Sequence, residues 1–352
     1  MSSGTSLYFW LGLVAVVALL VVVLVRGIRR PKRSPDYYAT ALNQLIHDDW
    51  DGALDSLRRA IQSGHTSPDA YIKLGSLLRR RGDHTAAYRI HQNLTVRQDL
   101  SNAERVTLLR CLVDDHRALG QRKEALRTLQ QLAANGRSQG IQREIAEEAL
   151  ASREHAVAVK AIREAQKNDP SLDAAAVAAF LAEVGESCFE REHHGDAKRY
   201  FQDALKEDDT CPKALLRMGD LAAQDGDQES ALYYWQKLAF ATPQGADLYE
   251  RLERVYFDLG KFGDIERVYA QILEKRPRDL QALLARARIA AKKGQLAEAE
   301  NLLRTALEQK PDSRRAFQML ASLLLEHGKT QEARALIETQ FGTVEDVEGR
   351  SS

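Results

Sequence analysis

A fixed period runs through the second half of this sequence and restricts the folds that the chain can adopt. Three kinds of residue recur at this period. They are glycines (Gly226, Gly260, Gly294 and Gly328), prolines (Pro243, Pro277 and Pro311) and small or apolar residues (Ala231, Ile265, Ala299 and Ala333). A period of roughly 20 to 50 residues is typical of stacked repeats, and the interval found here, about 34 residues, is the length of a two-helix unit. The pattern predicts an array of helical hairpins in which each unit buries its apolar side against its neighbours.

The residue types at the repeated positions explain how such hairpins pack. Small residues are needed where two helices approach closely, and a proline ends the second helix because it lacks an N–H group. This pattern predicts about nine units, which begin near Ser34, Pro68, Val106, Gln139, Ala178, Pro212, Ala246, Leu280 and Arg314. Short insertions around residues 97–105 and 172–177 interrupt the period and are expected to lengthen turns or helices. We expect a hinge or boundary near residues 171–177.

The N-terminus contains an uncharged stretch, from Leu7 to Val25, that is mostly leucine and valine. At a helical rise of about 1.5 Å per residue it would be about 28 Å long, close to the thickness of the bilayer core. A cleaved signal peptide would carry its positive charges before the apolar run. Here the charges follow it, which predicts an uncleaved transmembrane helix with the rest of the chain in the cytoplasm. The basic residues beside the membrane are Arg26, Arg29, Arg30, Lys32 and Arg33.

Together these features predict an all-α protein, a tetratricopeptide-repeat superhelical solenoid preceded by one transmembrane helix. We predict a non-cytoplasmic N-terminus at 1–6, the transmembrane helix at 7–25 and a basic juxtamembrane connector at 26–35. The repeats are predicted at 36–340 and a disordered tail at 341–352. The predicted location is the bacterial inner membrane, crossed once, with the repeats facing the cytoplasm.

Charge and motifs exclude several functions. The formal net charge is zero, but the segment that ends at Arg33 carries five basic groups and no acid, so the remainder is mildly acidic. Nucleic-acid binding needs a basic surface and is not expected. The cysteines are isolated, which argues against a zinc ribbon, and His193 and His194 point to different helix faces, which argues against a metal site. We therefore predict no metal, no cofactor and no enzymatic activity; an enzyme whose site the sequence does not reveal is the remaining rival.

The inner face of a stacked array is lined mainly by the first helix of each unit. In the seventh and eighth units, the residues predicted to face this groove include Glu250, Arg254, Phe257, Leu284 and Arg288. Their mixture of charged and apolar side chains is typical of a protein-binding groove, although any solvated helix face can show it. We predict Arg254 and Arg288 as contacts to a cytoplasmic protein partner.

One segment carries a more specific pattern. It runs Leu74-Gly75-Ser76-Leu77-Leu78-Arg79-Arg80-Arg81-Gly82 and continues to Arg89-Ile90-His91-Gln92-Asn93-Leu94. This segment resembles the second repeat of the lipopolysaccharide assembly protein B family, in which an L-G-x-L stretch with R-x-R-G is followed by R-I-H-Q-x-L. The resemblance implies that Arg79, Arg81 and His91 form a family-specific partner surface. The alternative for Arg79 is favourable charge at a helix C-terminus.

The resemblance also implies a function. Members of that family are inner-membrane adaptors that couple the committed deacetylase of lipid A synthesis to a membrane-bound AAA+ protease. Members usually end in a rubredoxin-like domain with two C-x-x-C pairs, which this sequence lacks, so metal binding is not carried over. The alternative is a tetratricopeptide scaffold for another envelope assembly, in secretion, polysaccharide export or cell division.

Overall fold

The computed structural model describes residues 36–64, 67–134, 140–261 and 263–341. The predicted transmembrane helix, the basic residues from Arg26 to Arg33 and the tail from Gly342 onward lie outside these ranges. Within them the chain is all α-helical, as predicted, with eighteen helices and no strand. No helix in the described part is both long and apolar enough to span a bilayer.

The helices follow one another in the order α1 (Tyr37–Ile46), α2 (Trp50–Gln62), α3 (Pro68–Arg80), α4 (His84–Leu94), α5 (Asn102–Ala118), α6 (Arg122–Ala134), α7 (Ile141–Ala151), α8 (His155–Asn168), α9 (Ala174–Phe189), α10 (His194–Glu207), α11 (Pro212–Gln224), α12 (Gln228–Ala241), α13 (Ala246–Asp258), α14 (Asp264–Lys275), α15 (Leu280–Lys292), α16 (Leu296–Gln309), α17 (Arg314–Glu326) and α18 (Thr330–Phe341). They form two compact units that divide between Ser152 and Arg153. Unit 1 contains α1–α7 and unit 2 contains α8–α18.

The division between the units does not lie near residues 171–177, where the sequence predicts it. Most of the inserted residues, 174–177, are part of α9, which has 16 residues, whereas α11 has 13. Asp173 caps this extended helix by accepting a hydrogen bond from the Ala176 N–H. Because Leu172 and Val177 are also buried, the insertion is packed as one more helical turn and forms no hinge.

The first insertion is absorbed in the same way. Helix α5 has 17 residues and begins at Asn102, four residues before the predicted start of the third unit. The side chain of Ser101 accepts a hydrogen bond from the Glu104 N–H, and Glu104 in turn accepts one from the Ser101 N–H. Such a capping box satisfies two backbone donors at a helix start, so the additional turn is stable where it begins.

The turn inside each helix pair requires a left-handed backbone conformation. Six of these turns have a glycine with positive φ, at Gly82, Gly120, Gly226, Gly260, Gly294 and Gly328. Three others place Asp48, Arg153 and Glu192 in the same conformation, with φ between 57° and 64°. A side chain with a Cβ is strained there, so these three turns are less favourable than the glycine turns.

We expect Glu192→Gly to stabilise unit 2 by about 0.5–1 kcal/mol, because relief of the left-handed strain outweighs the additional chain entropy of glycine. The matched control is Gly226→Ala, which introduces the same strain into the neighbouring repeat and should destabilise it by a similar amount. Both shifts are measurable by thermal unfolding followed by circular dichroism. A lower melting temperature for Glu192→Gly would contradict this account of the turn.

Small residues lie where the helices of a pair cross. In unit 1 the side chains of Ala41, Ala53 and Ala87 are fully buried, and in unit 2 those of Ala231, Ala299 and Ala333 are. Around them pack larger apolar residues such as Leu57 in unit 1 and Leu252 and Tyr269 in unit 2. The small residues that the repeat places at the helix contacts are therefore part of the core.

At three positions the close approach of two helices requires glycine. A Cβ placed on Gly75, Gly185 or Gly219 would lie within 3.0 Å of an aromatic ring. The rings belong to His91, Phe201 and Trp235, each at the same interval further along the chain, in the second helix of the same pair. His91 thus occupies the core position that Phe201 and Trp235 occupy in other repeats.

Candidate partner-binding face

A groove runs between α13 and α15 in unit 2 and consists of two adjoining clefts. The cleft near the helix starts is lined by α13, α15 and α17, with Tyr249 and Leu284 among its apolar residues. The cleft near the helix ends includes Phe257 and Ile289, and Arg288 lines both clefts. We call the two clefts together the α13–α15 groove.

The size of the second cleft indicates what it can hold. Its volume is about 230 Å³, below the roughly 300–1,000 Å³ of typical small-molecule pockets. Phe257 at its rim is 65% exposed. An open cleft of this size with an exposed aromatic ring suits a few side chains of a partner protein better than an enclosed small molecule.

Of the five residues predicted to face the groove, four line it and Arg254 does not. Glu250, Leu284 and Arg288 line the α13–α15 groove. Arg254 lies one turn after Glu250 and one turn before Phe257, so the helical period puts it on the same face of α13. Its side chain is exposed and has no hydrogen bond or ion pair with any residue that the structure describes. Arg288, in contrast, is paired with Glu253.

Ion pairs connect the first helices of successive repeats in unit 2. Arg217 on α11 donates to Glu186 on α9, with an Nε–Oε2 distance of 2.8 Å. Arg251 on α13 donates to Asp220 on α11. The two acids are one repeat length apart, and so are the two arginines, so the same pair recurs in consecutive repeats. We call this series the ion-pair ladder. The ladder is not among the predictions from the sequence, although the repeat-length spacing of opposite charges indicates it.

Unit 1 contains a buried ionic cluster between α3, α4 and α5. His91 and Asp115 are both fully buried, and His91 Nδ1 lies 2.5 Å from Asp115 Oδ2. The other ring nitrogen, Nε2, lies 3.1 Å from the Ile72 carbonyl oxygen. Arg79 donates to the second carboxylate oxygen of Asp115 over 2.7 Å and to the Cys111 carbonyl oxygen over 3.1 Å. We call these three side chains the His91–Asp115–Arg79 cluster.

This cluster corrects one sequence-based prediction. His91 is not a surface residue, because its ring fills the space above Gly75 and is 0% exposed. The Arg79 guanidinium group is also bound within the cluster, and its other ion pair is with Asp114 at 3.2 Å. Only Arg81 is exposed. Two of the three residues predicted from the family resemblance, His91 and Arg79, therefore pack and form ion pairs between neighbouring repeats.

A second polar cluster in unit 2 has the composition of a nucleophile and base but not their electrostatics. Cys188 Sγ lies 3.3 Å from His155 Nδ1, and His155 Nε2 lies 3.0 Å from Ser187 Oγ. Burial raises the pKa of the Cys188 thiol and lowers the pKa of His155. Since the thiolate is the reactive form, both groups stay neutral and act as packing residues. Within the described ranges no three ligand side chains gather as a metal site.

Comparison with known proteins identifies the repeat. Two family models, both described as "Tetratricopeptide repeat", match the chain, one at residues 38–99 and 185–246 and the other at 256–323 and 291–341. Together the matched stretches cover more than half of the sequence. No curated protein sequence matches the chain.

Solved structures are similar to this chain at low identity. The APC/C hetero-tetramer Cut9–Hcn1 is 17% identical, with 85% of this chain and 57% of that chain covered and a TM-score of 0.31. MamA from Desulfovibrio magneticus RS-1 is 18% identical over 46% of this chain and 92% of that chain, with a TM-score of 0.34. YrrB, titled "a TPR protein with an unusual peptide-binding site", is 18% identical over 46% of this chain and 84% of that chain, with a TM-score of 0.33.

Proposed function

We propose that this chain, which belongs to the tetratricopeptide repeat family, is a membrane-anchored scaffold that binds partner proteins along the first helices of its repeats. Proteins built of these repeats are generally scaffolds without catalytic activity. The observation that carries the proposal is the α13–α15 groove, which is open, has an apolar floor and has charged residues at its rim. Such a combination is what a protein-binding surface requires.

The proposed anchor is the segment Leu7–Val25. Its uncharged sequence and the five basic residues that follow it support insertion in the bacterial inner membrane with the repeats in the cytoplasm. A scaffold fixed to the membrane raises the effective concentration of its cytoplasmic partner beside any membrane protein that it also contacts. Two moderate contacts on one scaffold then act as a single strong one.

The proposed partners follow from the resemblance to the lipopolysaccharide assembly protein B family. We propose that the scaffold brings a lipid A biosynthetic deacetylase to a membrane-bound AAA+ protease and so regulates lipopolysaccharide synthesis. The sequence match around Gly75, Arg81 and Leu94 supports this role. The alternative is a scaffold for another envelope assembly, and the burial of His91 favours it, because a buried residue cannot recognise a family-specific partner directly.

Crosslinking in intact bacterial membranes tests the proposal. We expect the full-length chain to capture the deacetylase and the protease, and a variant without residues 7–25 to lose the protease. Deleting the gene should raise the deacetylase level if the scaffold delivers that enzyme for degradation. Capture of secretion, export or division proteins in their place would support the alternative, and capture of no protein would refute the scaffold function.

The exposed residue of the motif offers a point test of the partner surface. Arg81→Glu should reduce capture of the deacetylase by about tenfold, since a charge reversal at an interface replaces attraction by repulsion. Arg59→Glu, also an exposed arginine near a helix end in unit 1, is the control and should capture it normally. Equal capture by the two variants would remove Arg81 from the proposed surface.

A further inference from the structure

The ion-pair ladder does not continue in register beyond α13, because the ion pair between α13 and α15 is formed by Arg288 and Glu253, which lie outside the ladder positions. The residues at the ladder positions are Ala285, which lines the α13–α15 groove, and Arg254, which lies on the same face of α13. The acids of the ladder are Glu186 and Asp220, and the next position in the repeat register is Arg254. The arginines of the ladder are Arg217 and Arg251, and their next position is Ala285. Arg254 thus stands where the ladder has an acid, and Ala285 stands where it has the arginine that would pair with that acid.

This double change leaves a guanidinium group without a carboxylate. Arg254 is exposed and has no ion pair in the part of unit 2 that the structure describes, whereas Arg217 and Arg251 each bind an acid on the preceding first helix. Lys292, which lines the same groove, is likewise exposed and without an ion pair among the described residues. Two cations at one groove are therefore available to an external carboxylate.

An exposed aromatic ring stands at the same place. Phe257 lies one turn after Arg254 on α13, and its equivalents in the two adjacent repeats are Ala223 and Ala291. Between these small neighbours the Phe257 ring is 65% exposed. Beside it Ile289 is half-buried in the groove floor. Aromatic residues, including Phe, and arginine are enriched at protein interfaces relative to the rest of the surface.

The charge of the groove is opposite to that of the chain around it. Its lining residues include four basic side chains, and three of them are ion-paired: Arg288 with Glu253, Arg315 with Glu250 and Lys293 with Glu266. The fourth, Lys292, has no ion pair among the described residues. Arg254 on the same helix face adds a fifth basic group. After Arg33 the sequence as a whole has more acidic than basic residues. The groove is a local basic surface that attracts acidic ligands and repels basic ones.

We propose that the α13–α15 groove binds a linear acidic segment of a partner protein that also carries a bulky apolar residue. A carboxylate of the segment binds Arg254 and so supplies the ion-pair partner that is missing at this step of the ion-pair ladder, where the residue on α15 is Ala285. A guanidinium group can bind a carboxylate through two parallel hydrogen bonds, so Arg254 defines the register. The apolar residue packs on Phe257 and Ile289. This inference rests on the proposed scaffold function and specifies the chemistry of its partner.

Fluorescence anisotropy with labelled peptides tests the proposal on the full-length chain in nanodiscs. The probe is a pool of short peptides in which Asp or Glu alternates with Leu or Phe. One comparison pool replaces the acids by Lys or Arg, and another replaces Leu and Phe by Ser. We expect binding of the first pool alone, with an affinity that falls as the salt concentration rises.

Three variants locate the binding site. Arg254→Glu and Phe257→Ala should each weaken binding of the acidic pool by about tenfold or more. Lys310→Glu changes an exposed, unpaired cation outside the groove, among the described residues, by the same charge and should bind like the wild type. In Arg254→Asp/Ala285→Arg the ladder continues by one step, so this variant should also lose the peptide; Ala285 is only 4% exposed, and the variant is used where it proves folded. Circular dichroism confirms that each variant is folded.

Any of the following outcomes would contradict the assignment of the α13–α15 groove to an acidic segment of a partner protein. Binding of the basic pool, no binding of the acidic pool, or wild-type affinity in the ladder-repaired variant would refute it. A gain in affinity of tenfold on removal of residues 342–352 would assign the groove to the acidic tail of this chain. A change from dimer to monomer in Arg254→Glu would assign it to a second copy. If Arg254→Glu still crosslinks to partners in membranes at the wild-type level, the proposed scaffold function stands even where the peptide site fails. The two proposals can therefore fail separately.

Discussion

Asp115→Ala is expected to destabilise unit 1 by about 3–5 kcal/mol, the usual cost of removing one partner from a buried ion pair. The substitution leaves His91 Nδ1 without its partner at a fully buried site and takes from Arg79 its shortest hydrogen bond. Hydrogen exchange measured by mass spectrometry can report this region by region. Amides of α3–α5 should exchange faster by about two orders of magnitude or more, since each 1.4 kcal/mol is about tenfold, while those of unit 2 serve as the internal reference.

The neighbouring residue is the matched control. Asp114 also binds Arg79, at 3.2 Å, but its side chain is 51% exposed. Asp114→Ala should therefore cost no more than about 1 kcal/mol, as exposed pairs do. Equal effects of the two alanine substitutions would show that burial of the carboxylate is not the source of the stability.

A double substitution separates packing from charge. Two other repeats have Phe201 and Trp235 at the position of His91. The residues at the position of Asp115 are then Leu221 and Val255, and both are buried. His91→Phe/Asp115→Leu imitates these repeats and should recover most of the lost stability, because an apolar pair often replaces a buried ion pair without cost. Arg79 is 21% exposed and can turn to water. A double variant as unstable as Asp115→Ala would contradict this equivalence of the repeats.

Gly219→Val is the second substitution with a large expected effect. Even the first carbon of a side chain at this position would lie within 3.0 Å of the Trp235 ring, which is 4% exposed and surrounded by core residues. Overpacking a well-packed core typically costs about 1–3 kcal/mol. We expect a lower melting temperature and faster hydrogen exchange in α11 and α12, whereas the amides of unit 1 should exchange at the wild-type rate.

Two further variants test that the cost arises from the contact with the ring. Gly219→Val/Trp235→Leu creates room and should be more stable than Gly219→Val alone. Gly195→Ala places a methyl group on the second residue of α10, where it meets nothing within 4 Å, so it should not destabilise unit 2. If Gly195→Ala destabilised unit 2 as much as Gly219→Val does, steric overlap with the Trp235 ring would not be the cause.

The periodic features of the sequence predicted the fold closely. From Pro212 onward the first helix of each pair begins at the predicted residue, as α11, α13, α15 and α17 show. These boundaries depend on local chemistry, namely a proline or capping residue at a helix start and a residue with positive φ at the turn. The positions of the small residues in the helix contacts follow from the same repeat, because identical units stack through identical contacts.

Features that deviate from the repeat were harder to predict. The four additional residues before the third unit become a helical turn of α5, and the boundary between the units lies at Ser152 and not near residues 171–177. Whether an insertion forms a loop or a turn of helix depends on whether its side chains find a core. Burial of Leu100 beside α5 and of Leu172 beside α9 decides this, and burial results from packing between elements.

By itself the sequence determined that the chain forms paired helices, where their turns lie and which small residues permit their contact, because these properties depend on residues close together in the chain. Only the tertiary structure decided that His91 is buried on Asp115 and that Arg254, among the described residues, stands without an acid at a groove. Both depend on which side chains two successive repeats bring opposite each other. A histidine or an arginine in a motif can be a core residue or a surface residue, and its neighbours in space determine which.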